Sequence, residues 1–163
     1  MADRMTPQDL REHFHYDAAS GVFTRLKAQH RSLIGKPAAR LGSRGYLVLF
    51  YKAHPYLAHR CAVAWMTGKW PEADVDHQNG DPCDNRWDNL RVVASSTNSE
   101  NQRRAHRDSA TGILGVSRHG RAGFRAQIKV DGKNRHLGTF PTAEEASAAY
   151  LRAKRELHAG CTL

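Results

Sequence analysis

The stretch VDHQNGDPCDNRWDNLRVVASSTNSEN, residues 75–101, decides how this chain is read. An Asp-His pair, Asp76 and His77, is followed twelve residues on by Asn89 and nine residues later by Asn98. Between them lie the turn formers Asn79-Gly80, Asp81-Pro82 and Asp84-Asn85, then an apolar run rich in β-branched residues over 90–93. Ser95 and Ser96 are suited to cap a following polar helix of about ten residues. The pattern predicts strand, long turn, strand and helix, with polar side chains spaced to build one small metal site.

Taken together, the order Asp-His, Asn-Leu and Asn-x-x-Asn resembles the ββα-metal unit of HNH nucleases, in the variant whose last ligand is Asn rather than His. The resemblance implies a metal-dependent DNA endonuclease that hydrolyses phosphodiester bonds. It implies His77 as general base, and Asn89 as the middle residue that braces the loop and orients that base without touching substrate. Asp76 and Asn98 are the implied metal ligands. The chemistry is consistent with these roles. Hydrolysis needs an activated water, stabilisation of charge growing on phosphorus and help for the departing oxygen. Histidine is the side chain that changes charge near neutral pH. Carboxylate and amide oxygens suit a hard cation that keeps much of its water, Mg2+ first and Mn2+ second. Consecutive strand residues face opposite sides, so Asp76 and His77 serve one site only where the strand ends; Asn79-Gly80 sits at the right place for that.

Working outward, the whole chain carries a formal net charge of +9 over 163 residues. Nine Lys or Arg against two Asp fall between positions 102 and 135, so most of that excess is concentrated in one stretch and favours a polyanionic partner. Cys61, Cys83 and Cys161 stand apart with no Cys-x-x-Cys pair, which argues against a zinc ribbon or disulfide framework. No structural zinc is expected. No signal-peptide pattern opens the chain and no apolar run approaches the roughly twenty residues that span a bilayer. The expectation is a reducing, cytoplasmic setting in a bacterial or phage-infected cell.

Ahead of the central stretch, Thr6, Pro7 and Asp9 predict a helix running to about His15. Residues 22–26 read as a short strand and 27–45 as a basic loop or irregular hairpin. Strands are expected over 46–51 and 56–58, joined by a turn at 52–55, then a helix over 59–66 with Cys61, Ala62, Trp65 and Met66 as its buried stripe. Gly68 ends that helix. Residues 1 to about 70 form the platform, because a hairpin and one helix bury too little apolar surface alone. Trp65, Trp70 and Trp87 are candidate core. His59 reads either as a phosphate contact or neighbour of the site, or as a helix-start histidine satisfied locally.

Behind it, residues 102–112 are basic and rich in small residues, able to extend the preceding helix and then become a linker, and on DNA to track phosphates, with Arg103 and Arg104 as candidate contacts. Three strands are expected over 113–118, 123–130 and 135–140. Phe124, Ala126, Ile128 and Val130 alternate with Arg125, Gln127 and Lys129, giving one apolar and one polar-basic face. Thr142 and Glu145 predict a capping box opening a helix whose stripe is Ala146, Ala149, Tyr150, Ala153 and Leu157. The motifs GV, AxI, LGTF and TAEEAxxAY make 113–160 similar to the plant ethylene-response-factor type of DNA-binding domain. That resemblance implies duplex DNA contact through Leu114, Ser117, His119, Arg121, Gln127, Lys129, Asn134 and His136, and Arg125 joins them from the polar-basic face of the second strand. Several of these depart from the family's residues, so its target sequence does not carry over.

The expected architecture is α+β: a ββα-metal nuclease unit (about 74–104) on an N-terminal strand/helix platform, completing a domain over 1–104. A linker over 105–112 leads to a domain over 113–163, a small three-stranded antiparallel sheet packed on one helix. The pairing is similar to mobile and phage-type HNH endonucleases, with double-stranded DNA as partner and neither membrane nor small-molecule cofactor. Two rival readings stand beside it. One is a catalytically inactive DNA-binding regulator that keeps the nuclease fold as scaffold; the other binds or cleaves RNA.

Overall fold

The computed structural model describes residues 5–95, 100, 102, 105, 108–120, 123–158 and 161. The chain forms two compact units, Met1–Ala94 and Ser95–Leu163. Three helices and several small antiparallel sheets are seen among the described residues, a mixed α and β architecture.

The first unit begins with α1 (Pro7–His13), fixed by a reciprocal capping box in which the Thr6 hydroxyl accepts from the Asp9 amide and the Asp9 carboxylate accepts from the Thr6 amide. The expected helix to about His15 stops at His13. Phe14 is extended and opens β1 (Phe14–Asp17), where Phe14 and Tyr16 alternate into the core. The β1 strand pairs antiparallel with β2 (Val22–Arg25), placing Tyr16 opposite Phe23. The 27–45 stretch holds a short 3-10 turn (Arg31–Leu33) and β3 (Arg40–Leu41). The β3 strand lies beside β4 (Leu47–Tyr51), which pairs with β5 (His54–Leu57).

Lys52 and Ala53 both have positive φ, 46° and 64°, so the β4–β5 connection is a two-residue hairpin turn. The turn expected over 52–55 is therefore shorter, and Pro55 lies in β5. That strand is a sheet edge, where a residue without an N–H is tolerated. Helix α2 (Ala58–Thr67) follows and ends at Gly68 in the left-handed region, φ 74°. Its core stripe includes Ala58, Cys61 and Ala62, with Trp65 partly buried. Met66, expected in that stripe, is 38% exposed because the helix turns the 58/61/62/65 row inward and leaves position 66 at the edge. Trp65, Trp70 and Trp87 all pack against this core, and two indole N–H groups donate to backbone carbonyls, Trp65 to Phe14 and Trp70 to Met5. The hairpin of β6 (Asp74–His77) and β7 (Leu90–Val93) completes the described part of the unit. The helix expected after Ser95 falls mainly on residues outside those described.

The second unit is a sheet of order β8 (Val116–His119), β9 (Gly123–Val130), β10 (Lys133–Phe140), with α3 (Ala143–Leu157) packed on it. Ala126 and Ile128 of β9 meet Ala146, Tyr150 and Ala153 of α3 in a separate core. Thr142 caps α3 by accepting from the Glu145 amide. The strands begin at Val116 and Lys133 rather than at 113 and 135. Gly115, at φ 72°, lets the chain pass against the Tyr150 ring, where an added Cβ would fall 2.0 Å from Cδ2. Of the 95–104 stretch, Ser95, Glu100 and Gln102 are described and fall in this unit. There the buried Lys154 ammonium donates to the Gln102 carbonyl, and the His158 ring donates from Nε2 to the Lys129 carbonyl.

Candidate active site

Strand β6 carries Val75, Asp76 and His77, all buried, and ends at His77. The turn expected at Asn79-Gly80 closes there, with the Gly80 amide donating to the His77 carbonyl at 2.9 Å. Alternation along the strand gives the two polar side chains different neighbours. The Asp76 carboxylate lies opposite Arg91 of β7, which donates to Oδ2 from Nε at 2.9 Å and from Nη2 at 2.7 Å. The His77 ring instead meets Asn85, with Nε2 3.1 Å from the amide oxygen.

The loop between the strands is held by its own short polar side chains. Asn89 Oδ1 accepts from the Asn79 amide at 2.9 Å, while Asn89 Nδ2 donates to Asn79 Oδ1 and to the Asp84 carbonyl. Asn79 Oδ1 also accepts from the Asp81 amide, and Asp81 Oδ1 accepts from the Cys83 amide. Arg86 grips the Asp84 carboxylate, and these bonds, with one from Asn79, hold its pKa down to about 2. Asn89 therefore ties both ends of the loop together.

The platform reaches this loop through the β1–β2 hairpin. The Tyr16 hydroxyl donates to the Asn85 carbonyl at 2.7 Å, and the Trp87 amide donates to the Ala18 carbonyl at 3.0 Å. Burial pushes the Tyr16 phenol up to about 12, so it stays a donor. Gly21, at φ 72°, is the close-approach point: a Cβ there would stand 2.4 Å from the Asn85 carbonyl carbon. On its other side His77 packs against two rings, His59 of α2 at 5.1 Å between centroids and Tyr46 at 6.0 Å.

Two neighbours of His77 and Asp76, Asn85 and Arg91, carry no sequence signal of that contact. Asn85 looked like a turn former in Asp84-Asn85, and nothing in its spacing linked it to His77. Arg91 sat in an apolar run; its cross-strand position opposite Asp76 was recoverable once the hairpin register was known. Of the expected set, the fold gathers Asp76, His77 and Asn89 on one hairpin. Asn98, Arg103, Arg104 and Arg121 lie outside the described residues. Ser117, His119, Arg125, Gln127, Lys129, Asn134 and His136 are all in the second unit. The register pairs Ser117 with Arg125, His136 with Gln127 and Asn134 with Lys129, which puts the seven on one face, opposite Ala126 and Ile128. On that face Arg125 donates to His119 Nδ1 at 2.7 Å.

The HNH endonuclease family model matches residues 56–103, the span from β5 through this hairpin. Over that segment the chain is similar to the HNH endonuclease family. The solved structure described as "DNA binding and cleavage by the HNH homing endonuclease I-HmuI" is similar at 23% identity and TM-score 0.43, over 91% of this chain and 88% of that one. A separate match, 40% identical over 63 residues, is to Ethylene-responsive transcription factor ERF117 of Arabidopsis thaliana. It takes in 37% of this chain, and the chain spans about a fifth of that relative's length. Within the HNH segment, no three His, Cys, Asp or Glu side chains gather as a metal cluster among the described residues. Asp76, a carboxylate with the hard oxygen donors that Mg2+ takes, is the one expected metal ligand among the described residues. No helix among the described residues is long and apolar enough to cross a membrane.

Proposed function

We propose that the chain is a metal-dependent DNA endonuclease, with His77 as general base and Asp76 and Asn98 as metal ligands, that hydrolyses phosphodiester bonds in duplex DNA. The observation that carries this reading is the His77–Asn85 hydrogen bond at the end of β6, inside the segment that matches the HNH family. An amide oxygen only accepts, so His77 Nε2 carries the hydrogen, which leaves Nδ1 as the ring nitrogen able to act as base. That lone pair takes a proton from water as the water oxygen bonds to phosphorus. Asn89 acts without touching substrate, by fixing the loop that carries Asn85. Arg91 holds the Asp76 carboxylate in place through Oδ2. The bound cation, Mg2+ with Mn2+ as a substitute, would supply charge stabilisation at the phosphoryl and departing oxygens.

DNA is held by the polar face of β8, β9 and β10 through Ser117, His119, Arg125, Gln127, Lys129, Asn134 and His136. Arg103, Arg104 and Arg121 add phosphate contacts in this reading. A small sheet matches the width of the DNA major groove, whereas the deep, narrow major groove of duplex RNA excludes it. The test is cleavage of plasmid DNA with Mg2+, with EDTA as control, by the wild-type chain and by His77→Ala. The expected result is cutting that EDTA stops, with His77→Ala reduced by about a hundred- to ten-thousand-fold and still binding DNA. DNA binding without any metal-dependent cutting by the wild-type chain overturns the reading in favour of an inactive regulator.

A further inference from the structure

His59 is the buried polar group of the nuclease unit that the proposed chemistry leaves unused. It stands in the first turn of α2 and is 5% exposed, and its Nδ1 is enclosed with no hydrogen-bond partner. Its ring lies 5.1 Å from His77, at 75° between planes, and 5.2 Å from Tyr46; with Tyr46 also on His77, the three rings contact one another. The α2 helix is tied to the segment that leads into β6, because Arg60 donates to the Pro71 and Ala73 carbonyls. His59 is therefore placed by the same contacts that place His77.

An enclosed nitrogen without a partner is destabilising, and a phenylalanine or leucine would fill the same space without that cost. Such local conflicts concentrate where function needs them. We infer that His59 Nδ1 donates a hydrogen bond to an oxygen of the scissile phosphodiester when DNA occupies the site, making His59 a second substrate-contacting residue beside His77. The inference rests on the reading of His77 as base. Burial, reinforced by the nearby His77 and Arg60 charges, pushes the His59 pKa down to about 3, so the ring is neutral. A neutral donor can meet a phosphate oxygen without placing a second positive charge beside His77 as His77 takes its proton. Tyr46, 36% exposed, is the most exposed of the three rings.

The experiment uses the full chain, a duplex substrate and Mg2+, and compares His59→Phe, His59→Asn and His59→Gln. Three quantities are read for each: single-turnover cleavage rate at saturating DNA, DNA affinity, and thermal unfolding midpoint. An asparagine amide lies near the Nδ1 position and a glutamine amide nearer Nε2. The expected pattern is a loss on the order of tenfold or more in rate for His59→Phe, at near-wild-type affinity and an unchanged or raised midpoint. His59→Asn recovers part of the rate and His59→Gln does not. Wild-type cutting by His59→Phe overturns the inference. If His59→Phe does not fold, equal rates for the Asn and Gln variants overturn it instead. His77→Ala, run alongside, separates the two claims: wild-type cutting by that variant removes the base assignment itself, whatever the His59 series gives.

Discussion

At the scale of single residues, the proposed reaction depends on which ring nitrogen of His77 is basic, and Asn85 decides that. Replacing Asn85 with Leu keeps the volume and removes the acceptor; single-turnover cleavage should fall by about ten- to a hundredfold, less than the loss of the base itself. Asn85→Asp keeps an acceptor and should retain most of the rate. Equal rates for the two variants would show that the hydrogen bond does not orient the base. Asp76→Ala removes one of only two proposed protein ligands, so cleavage should be poor and only partly restored by excess Mg2+ or Mn2+ in a metal titration. His59 also shapes acid stability. Its folded pKa, about 3, lies below the ordinary value of 6.5, so the unfolded chain binds the extra proton between those limits. Stability from this group is present above pH 6.5 and is lost as pH falls toward 3, by at most about 1.4 kcal/mol per pH unit. His59→Phe should therefore lose less stability than wild type between pH 6.5 and 4, as read by denaturant unfolding at each pH.

At the scale of elements, the β1–β2 hairpin braces the loop between β6 and β7. Tyr16 holds the Asn85 carbonyl, Ala18 takes the Trp87 amide, and Gly21 permits the close approach. Gly21→Ala combines a left-handed backbone with a Cβ that meets main-chain carbon at 2.4 Å, and backbone cannot step aside as a side chain can. The expected cost exceeds the roughly 1 kcal/mol of strain alone. It should appear as a lowered unfolding midpoint together with weakened cleavage, since the displaced atoms carry Asn85. A change in midpoint at full activity would mean that the hairpin supports the fold but not the loop. The second unit has a comparable local device in Thr142, whose hydroxyl caps α3; Thr142→Ala should cost about 1 kcal/mol.

At the scale of the whole molecule, each compact unit has its own core, so division of labour is testable by cutting the chain between them. A fragment of residues 95–163 should fold alone and bind duplex DNA without cutting it. In the full chain, Arg125→Ala with Lys129→Ala should weaken binding and flatten its salt dependence, by about one unit of slope for each phosphate no longer neutralised. Folding should survive, because these side chains lie opposite the Ala126 and Ile128 face. Cutting should persist at high enzyme concentration with less site preference, since Asp76 and His77 are in the other unit. A fragment with no DNA affinity at low salt would assign this sheet to a protein partner instead.

Much of the architecture was legible in the sequence because it is written in local signals. Thr6-Pro7-Asp9 and Thr142 cap helices through neighbours three residues away, Gly68 ends α2 through its own backbone, and 124–130 alternates with the period of a strand. The nuclease motif was legible for the same reason: Asp76, His77 and Asn89 lie on one hairpin, so sequence spacing nearly fixes their arrangement. Local patterns failed where distant parts of the chain compete for a residue. Phe14 left α1 because the core claimed its ring, and Met66 fell outside the buried row once α2 had rotated onto that core. What only the tertiary structure decided was the surroundings of His77. Asn85 reaches His77 because Tyr16, sixty-nine positions away, holds its carbonyl, and His59 meets His77 because Arg60 ties α2 to the entry of β6. Those arrangements depend on packing between elements far apart in the chain, which no periodicity or spacing within one element encodes.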